Sequence, residues 1–492
     1  MRKIKKNITA LTLAGSMALM TACGSSKPAE TTAAETAAET TVAETEAAVE
    51  TEAAVEVSDE ERKAALDQDL EEMVGETDVH VPGLGVIVFK DGKEVYSNYL
   101  GNRYIDNENP ENNLPYTEDS RFRAASVSKM FTVFTLMQLV DEGKIDLDAD
   151  ISEYLGFNAR NPHYPDDKIT CRMLAGHTSS LRDGTVYSLP PENGVEEFFT
   201  EDGIGWEGGD HFTEDGKPGE FFSYCNLNYG LLGTIIEAVT GERFDLYQKE
   251  HIFKQLDIKA DYLVGGLAPE EFDNLGVIYQ KKNEEGVWDE NGDWYPQMDD
   301  YKGEQPDANE VLVQNPYAAD TDQHYSLENY QPGTNATCFS PQGGLRITCK
   351  ELSHAMEMLM NEGTYNGEQV ISSEGVQEML KEQWVYDENS KNGKTYGDTI
   401  LSYGLGLYNI YGDRQNRVCA DAEIDLVGHT GEAYGLLSGV FFKPGTKDGF
   451  VYMMTGEAIA EDDDPRSAGV IGTNYIWEEN VMNAICKAYL MD

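Results

Sequence analysis

At 492 residues the chain has room for two or three domains, and 40% apolar residues with ample aromatics suffice for a real core. A formal net charge of -52 leaves no basic footprint for a phosphate backbone, which excludes nucleic acid as a partner. The same acidity suits an exported protein that must stay in solution.

The chain begins as a targeting segment. MRKIKKN supplies a basic start, and ITALTLAGSMALMTA is an apolar run too short to span a bilayer. The run ends in Met20-Thr21-Ala22-Cys23-Gly24, which resembles a bacterial lipobox with Met20 where leucine is usual. The resemblance implies that residues 1–23 are a lipoprotein signal peptide and that Cys23 is acylated to become the mature N-terminus. The alternative is an ordinary signal peptide with a chance cysteine. No other run is apolar enough to cross a membrane, so the expected location is extracytoplasmic, on a lipid anchor in the bacterial cell membrane. Residues 24–57 are Ala, Glu and Thr without aromatics and read as a disordered tether. Such a coil spans about 30 Å and, fully extended, about 110 Å.

The folded part is expected over residues 58–492. SDEERKAALDQDLEEMV reads as an acidic-capped helix, and GLGVIVFKDGKEVYSNYLGNR as two strands around an Asp91-Gly92 turn. From Ser126, SVSKMFTVFTLMQLVDEG is apolar on nearly every face, which predicts a buried helix running to Gly143. The stretch from Ile145 to Leu345 holds helical pieces, Gly/Pro-rich connections and an acidic, aromatic region from Asp289 to Asn335. ELSHAMEMLMNEG follows as an amphipathic helix. LSYGLGLYNI, LVGHTGEAYG, GLLSGVFFKP and GFVYMMTG then read as strands, and IGTNYIWEENVMNAICKAYL as a closing helix. Two strands early and several late predict one antiparallel sheet built from both ends of the chain, an α/β (α+β) architecture. The sheet part would comprise 58–125 and 346–492, with a mostly helical part, 126–345, inserted between them. Beyond Cys23, the six cysteines 171, 225, 338, 349, 419 and 486 form no pair at metal-ligand spacing, so free thiols, no metal and no cofactor are expected.

Ser126-Val127-Ser128-Lys129 places a hydroxyl and an amine at i and i+3 on one face of the buried helix. An apolar setting penalises the ammonium form, so Lys129 can be neutral near pH 7 and take a proton from Ser126. Alone the pattern is weak, because a helix cap followed by a snorkelling lysine looks the same. Tyr224-Cys225-Asn226 adds a phenol and an amide before a small-residue helix start. A phenolate beside an ammonium would shuttle protons, and the amide can hold a substrate carbonyl. Tyr96-Ser97-Asn98 repeats that spacing in a strand, where it carries no such meaning.

RFRAASVSKMFTVFTLMQLVDEGKIDLDADISEYL, ITCRMLAGHTSSL, FFSYCNLNYGLLGTIIEAVTGE, SPQGGLRITCKELSHAMEML and GHTGEAYG occur in this order. Together they resemble the serine beta-lactamase-related hydrolases: class C beta-lactamases, serine D,D-peptidases, D-aminopeptidases and related esterases. The likeness runs from Gly83 to the C-terminus and implies an antiparallel sheet flanked by helices with a helical second domain. It implies Ser126 as acyl-accepting nucleophile, Lys129 as its base, Tyr224 in proton transfer to the leaving group and Asn226 on the substrate amide. His429-Thr430-Gly431 matches the third motif of the family, and the backbone N–H groups of Ser126 and Glu432 would form the oxyanion hole. The upstream copy, His177-Thr178-Ser179, matches a different element, with Ser180 where glycine is usual. His177 is therefore expected to be structural.

Two departures bear on substrate. His429 replaces the lysine typical of class C beta-lactamases, and a partly charged histidine would bind a substrate carboxylate less firmly. Cys225 stands where serine is common, with its thiol expected near the nucleophile. GVWDENGDWYPQMDDYKGEQPDANE is a long acidic insert that either lines the cleft or forms a solvated hairpin, and it lacks a full EF-hand loop. The sequence thus points to a serine hydrolase acting through an acyl-enzyme on D-amino-acid peptides of cell-wall type. The alternatives are an esterase or amidase of the same fold, a beta-lactamase, and a non-catalytic wall-binding lipoprotein. The expected partners are a small-molecule or peptide substrate, peptidoglycan included, and the membrane through the lipid.

Overall fold

The computed structural model describes residues 58–75, 80–283, 287–314, 322–458 and 471–491. The signal peptide, Cys23 and the tether lie outside the described residues. Asp59–Asp492 forms one compact unit.

Strands β1 (Gly83–Lys90) and β2 (Lys93–Tyr104) pair around the Asp91-Gly92 turn, whose residues both take left-handed φ. Short strands β3 (Leu114–Pro115) and β4 (Arg121–Arg123) follow, then helix α2 (Ser128–Asp141); α1 (Asp59–Glu71) precedes them all. The middle of the chain carries α3 (Ser152–Leu155), α4 (Cys171–Ala175), α5 (Leu227–Thr240), α6 (Phe244–Gln248) and α7 (Pro269–Asp273). It also carries strands β5 (Ile278–Lys282), β6 (Asp293–Met298), β7 (Glu310–Gln314) and β8 (Asp322–Ser326). After β9 (Arg346–Thr348) come α8 (Cys349–Met360), β10 (Thr364–Tyr365), β11 (Glu368–Gln369), α9 (Ser373–Leu380) and β12 (Trp384–Val385). The chain ends through β13 (Ser402–Tyr403), β14 (Tyr408–Ile410), β15 (Leu426–Ala433), β16 (Leu436–Phe442), β17 (Gly449–Met454), β18 (Gly456–Glu457) and α10 (Ile476–Ile485).

The main sheet has nine antiparallel strands in the order β12-β13-β14-β15-β16-β17-β1-β2-β3. Both ends of the chain meet where β1 pairs with β17, from Leu84 opposite Met454 to Phe89 opposite Gly449. Alternation divides β1 between two cores, because neighbouring side chains point to opposite faces. Ile87 and Phe89 join Met453 and the helices of the large core, while Val86 and Val88 join Phe450, Tyr452 and the C-terminal helix. Both faces of the sheet are thus covered.

One sequence expectation needs correction and a second needs refinement. The helix does not begin at Ser126: a 3-10 turn, Ala125–Val127, comes first, and the φ of +48° at Ala125 prevents α-geometry from extending back. Helix α2 is otherwise as buried as its composition requires, with every side chain from Ser128 to Met137 enclosed. The second refines the mostly helical part, 126–345, which also carries strands. In that region β5 and β6 pair with each other and β18 adds in parallel to β5, while β7 and β8 form a separate hairpin. Period-2 alternation explains β6, since Trp294 is buried while Asp293 and Tyr295 are exposed, and Pro296 is tolerated on its outer edge. The six later cysteines are buried and free. Among the described residues no acidic, His or Cys group could hold a metal, and no helix is long and apolar enough to cross a membrane.

The acidic insert is exposed along much of its length but is fastened to the core at Asp299. Asp299 has no exposed side-chain surface and receives Nε of Arg346 at 3.1 Å and its Nη2 at 2.8 Å. Nη1 of Arg346 spans the carbonyls of Tyr262 and Gly344, so the whole guanidinium is satisfied. Removing one side of such a pair leaves a buried charge without compensation. Asp299→Ala is therefore expected to lower unfolding stability by about 3–5 kcal/mol, read from urea denaturation. A loss below about 1 kcal/mol would mean that the insert is held elsewhere.

Candidate active site

Three elements meet at Ser126: the turn before α2, the turn before α5, and β15. Ser438 Oγ on β16 donates to the carbonyl of Ala124 at 2.9 Å and fixes the backbone just before the nucleophile. Gly431 lies against that same backbone. A Cβ at position 431 would stand 2.4 Å from the Ala124 oxygen and 3.1 Å from the Ser126 nitrogen, so only glycine lets β15 approach. This places the N–H of Ser126 beside Gly431-Glu432, where the oxyanion hole is expected.

Lys129 is fully buried, and its amine is the centre of the site. Nζ lies 3.0 Å from Ser126 Oγ, 2.8 Å from Asn226 Oδ1 and 2.9 Å from the carbonyl of Gln342. Burial drives its pKa down to about 7, partly offset by the carboxylate of Asp183. As a neutral amine it donates to Asn226 and Gln342 and offers its lone pair to the Ser126 hydroxyl. The ammonium instead spreads three protons over the three acceptors. The rings of Tyr224 and Tyr229 lie 4.7 and 5.3 Å from Nζ and give the charged form a further resting place.

Tyr224 hydrogen-bonds Ser126, but burial holds its pKa well above the usual value for a phenol. The expected phenolate is corrected accordingly: the resting group is a neutral phenol, able to pass a proton onward rather than to seize one. Asn226 is oriented by Asp183, which accepts from its backbone N–H and from Nδ2, both at 2.9 Å, and from the Leu227 N–H at 3.0 Å. Sequence reasoning missed Asp183. Its only signal was an acidic residue in the Arg182-Asp183-Gly184 turn, 43 positions from its partner.

His429 is brought to the site, but not as a cation. It is buried, with Nε2 accepting from Tyr403 Oη at 2.9 Å while Nδ1–H donates to the carbonyl of Thr430. Burial, then the nearby Lys129, lowers its pKa to about 3. The expectation of a partly charged ring binding a carboxylate is thereby corrected, since both ring nitrogens are committed to the neutral form. Thr430 Oγ1 accepts from Tyr408 Oη at 3.1 Å. Glu432 is exposed, and its carboxylate accepts from Tyr475 Oη at 2.7 Å. Tyr403, Tyr408 and Tyr475 were legible only as strand or helix-start aromatics, because nothing in their spacing names a hydroxyl partner.

The upstream histidine is structural. His177 Nδ1 accepts from the Cys225 N–H at 3.1 Å, and its ring lies 4.2 Å from that of Tyr224. Its φ of +55° and the +63° of Ser180 mark a tight turn, which explains why glycine would suit position 180. Cys225 is buried, close enough to Lys129 for its thiol to bear on the amine.

The beta-lactamase family model matches residues 63–471, most of the chain and all of the site. The chain belongs to this family. It is 27% identical over 186 residues to Protein flp of Staphylococcus aureus strain MW2, covering 37% of this chain and 34% of that one. It is 29% identical over 224 residues to Penicillin-binding protein 4 of Amycolatopsis lactamdurans, covering 43% and 54%. The chain therefore spans about a third to a half of the length of these curated relatives. The D-amino acid amidase of Ochrobactrum anthropi SV3, solved with D-phenylalanine, superposes with a TM-score of 0.55 at 19% identity, covering 86% and 98%. That likeness is one of fold. What the chain shares with these proteins is the beta-lactamase and penicillin-binding fold.

Two outcomes follow from the charges. Because Lys129 acts as a neutral amine, acylation is expected to rise with pH through about 7 and then level off. Lys129→Ala should lower the acylation rate by at least about 10³-fold with the circular dichroism spectrum unchanged. Near-normal acylation would place the base elsewhere. His429 is protonated in the unfolded chain below its ordinary value of 6.5 but resists protonation in the fold down to about 3. The unfolded state then binds more protons, so this stability is present above 6.5 and is lost as the pH falls towards 3. From pH 6.5 to 4.5 the wild type should lose about 2–3 kcal/mol more than His429→Gln in urea denaturation. Parallel curves would sink the assignment.

Proposed function

We propose that the protein is a serine acyl hydrolase acting on D-amino-acid peptides or amides of cell-wall type, through an acyl-enzyme at Ser126. The observation that carries the acyl-enzyme step is the buried Lys129 amine, poised near neutrality 3.0 Å from Ser126 Oγ. Lys129 takes the hydroxyl proton as Oγ attacks the substrate carbonyl. The N–H groups of Ser126 and Glu432 hold the oxygen as it becomes negative. The proton then passes through the Tyr224 phenol to the leaving nitrogen or oxygen, and water completes the cycle by the same route in reverse.

A relative named as a penicillin-binding protein and a fold neighbour that is a D-amino acid amidase both favour D-configured acyl groups. The neutral His429 offers no fixed cation at the position where class C beta-lactamases carry lysine, which argues against drug hydrolysis as the main activity. The lipobox-like Cys23 and the tether of residues 24–57 would hold the domain outside the cytoplasmic membrane, within reach of peptidoglycan. An esterase or amidase with another substrate is the second reading, favoured by the same acyl-enzyme geometry.

The purified protein is expected to release D-alanine from a D-alanyl-D-alanine peptide and to be labelled at Ser126 by fluorescent penicillin. Absence of both, with nitrophenyl ester turnover that is lost in Ser126→Ala, would replace the peptidase reading by the esterase one. Rapid turnover of a chromogenic cephalosporin would replace it by a beta-lactamase.

A further inference from the structure

Three residues before the nucleophile, Arg123 ends β4 half-buried, with its use incomplete. Its Nε donates to the carbonyl of Gly343 at 2.8 Å, which fixes the plane of the guanidinium. The guanidinium lies over the ring of Tyr434, 5.3 Å from its centroid. Neither terminal nitrogen has a hydrogen-bond partner among the described residues, and neither is sealed from water. The other arginines of the β4–β9 pair are neutralised. Arg121 meets Glu351 at 3.1 Å, and Arg346, directly across from Arg123, holds Asp299. In a chain with 89 acidic and 37 basic residues, a cation with no carboxylate beside the nucleophile needs a reason.

Its position along β15 supplies one. His429, at one end of the site stretch, faces Tyr224, the proton donor for the leaving group, with ring centroids 6.1 Å apart. Tyr434, beyond the other end, carries Arg123. His429 and Tyr434 stand five positions apart, the second in the turn that follows β15, a span of at most about 16 Å. A substrate lying along β15 with its carbonyl at Ser126 therefore directs its leaving group towards Tyr224 and its acyl chain towards Arg123. A guanidinium with its two outer nitrogens open and an aromatic ring beneath it is matched to a carboxylate, which it can bind in bidentate fashion.

We propose that Arg123, held over Tyr434, is an anion subsite that selects substrates whose acyl portion carries a carboxylate. This rests on the acyl-enzyme reading of Ser126 but not on the D-peptide reading. The test compares two 4-nitrophenyl esters, one with a 4-carboxyphenylacetyl and one with a 4-methylphenylacetyl acyl group. Nitrophenol release is followed for the wild type, Arg123→Gln, Arg123→Lys and Ser126→Ala. The wild type should favour the carboxylate ester in kcat/KM by about 10- to 100-fold, the range of a charged hydrogen-bonded pair. Arg123→Gln should cut that ratio to near unity, acting mainly through KM, and Arg123→Lys should restore part of it. High salt should also erode the preference, because the subsite is open to solvent. Equal loss on both esters in Arg123→Gln would reduce Arg123 to a prop for the Gly343 loop and overturn the proposal. Absence of any preference in the wild type, with turnover abolished in Ser126→Ala, would overturn the subsite while leaving the acyl hydrolase intact. Turnover that survives in Ser126→Ala would overturn both.

Discussion

Everything at this site depends on the cost of burying one ammonium group. In water a lysine amine is protonated at neutral pH and useless as a base for a serine hydroxyl. Enclosure lowers its pKa to about 7, and that requires walls on every side. Helix α2 provides the first wall because it has no polar face: from Ser128 to Met137 each side chain packs against something. The loop before β9 provides the second, with the carbonyl of Gln342 on Lys129 and that of Pro341 on Thr132. The turn before α5 brings the third, Asn226. A lysine so placed would be displaced or neutralised altogether without compensation. The carboxylate of Asp183 supplies it through the Asn226 amide, keeping the amine near the point where both forms are populated. The base is thus tuned by opposition: desolvation lowers its pKa and one distant turn raises it.

The same reasoning explains why His429 cannot be a second cation. Two buried positive groups would raise each other's cost, and Lys129 contributes to the depression of the histidine pKa. Tyr403 and the Thr430 carbonyl fix the ring as a neutral spacer beneath the Tyr224 phenol. Charge near the nucleophile is consequently placed away from β15's histidine, at Arg123 on the acyl side and at the exposed Glu432. In the proposed acyl-enzyme reading, such a site would hold its substrate by backbone pairing along β15 and by the amide of Asn226, and leave electrostatic choice to its rim.

Much of this was legible from residue order. The buried character of α2 follows from its composition, and the antiparallel sheet from strands at both ends of the chain, because period and apolarity are local properties. Ser126, Lys129, Tyr224 and Asn226 could be named because two short motifs carry them. What the sequence withheld is of another kind. Asp183 acts on Asn226 across 43 positions, and Tyr403 and Tyr408 reach β15 through hydroxyl groups whose targets depend on tertiary packing. Protonation states were withheld for the same reason: a histidine and a tyrosine have ordinary pKa values until the fold decides how much water they keep. The strands of 278–326 escaped notice because their alternation is short and interrupted by Pro296 and by acidic turns.

The acidic insert shows how such hidden couplings bind the periphery to the centre. Asp299 holds Arg346, and Arg346 holds the carbonyl of Gly344. The preceding residue, Gly343, receives Arg123, and Gln342 before it receives the catalytic amine. Three consecutive carbonyls on one loop are therefore claimed by three different cations, of which only Arg346 is answered by a carboxylate. Lys129 is answered indirectly, by Asp183 through the Asn226 amide, and by an amine pKa lowered to about 7. Arg123 has neither solution among the described residues. An arginine cannot deprotonate, so Arg123 keeps its charge, with water at its outer nitrogens and room there for an anion brought from outside. That asymmetry among three neighbouring cations is the physical reason to look for the substrate's negative charge on the acyl side of Ser126.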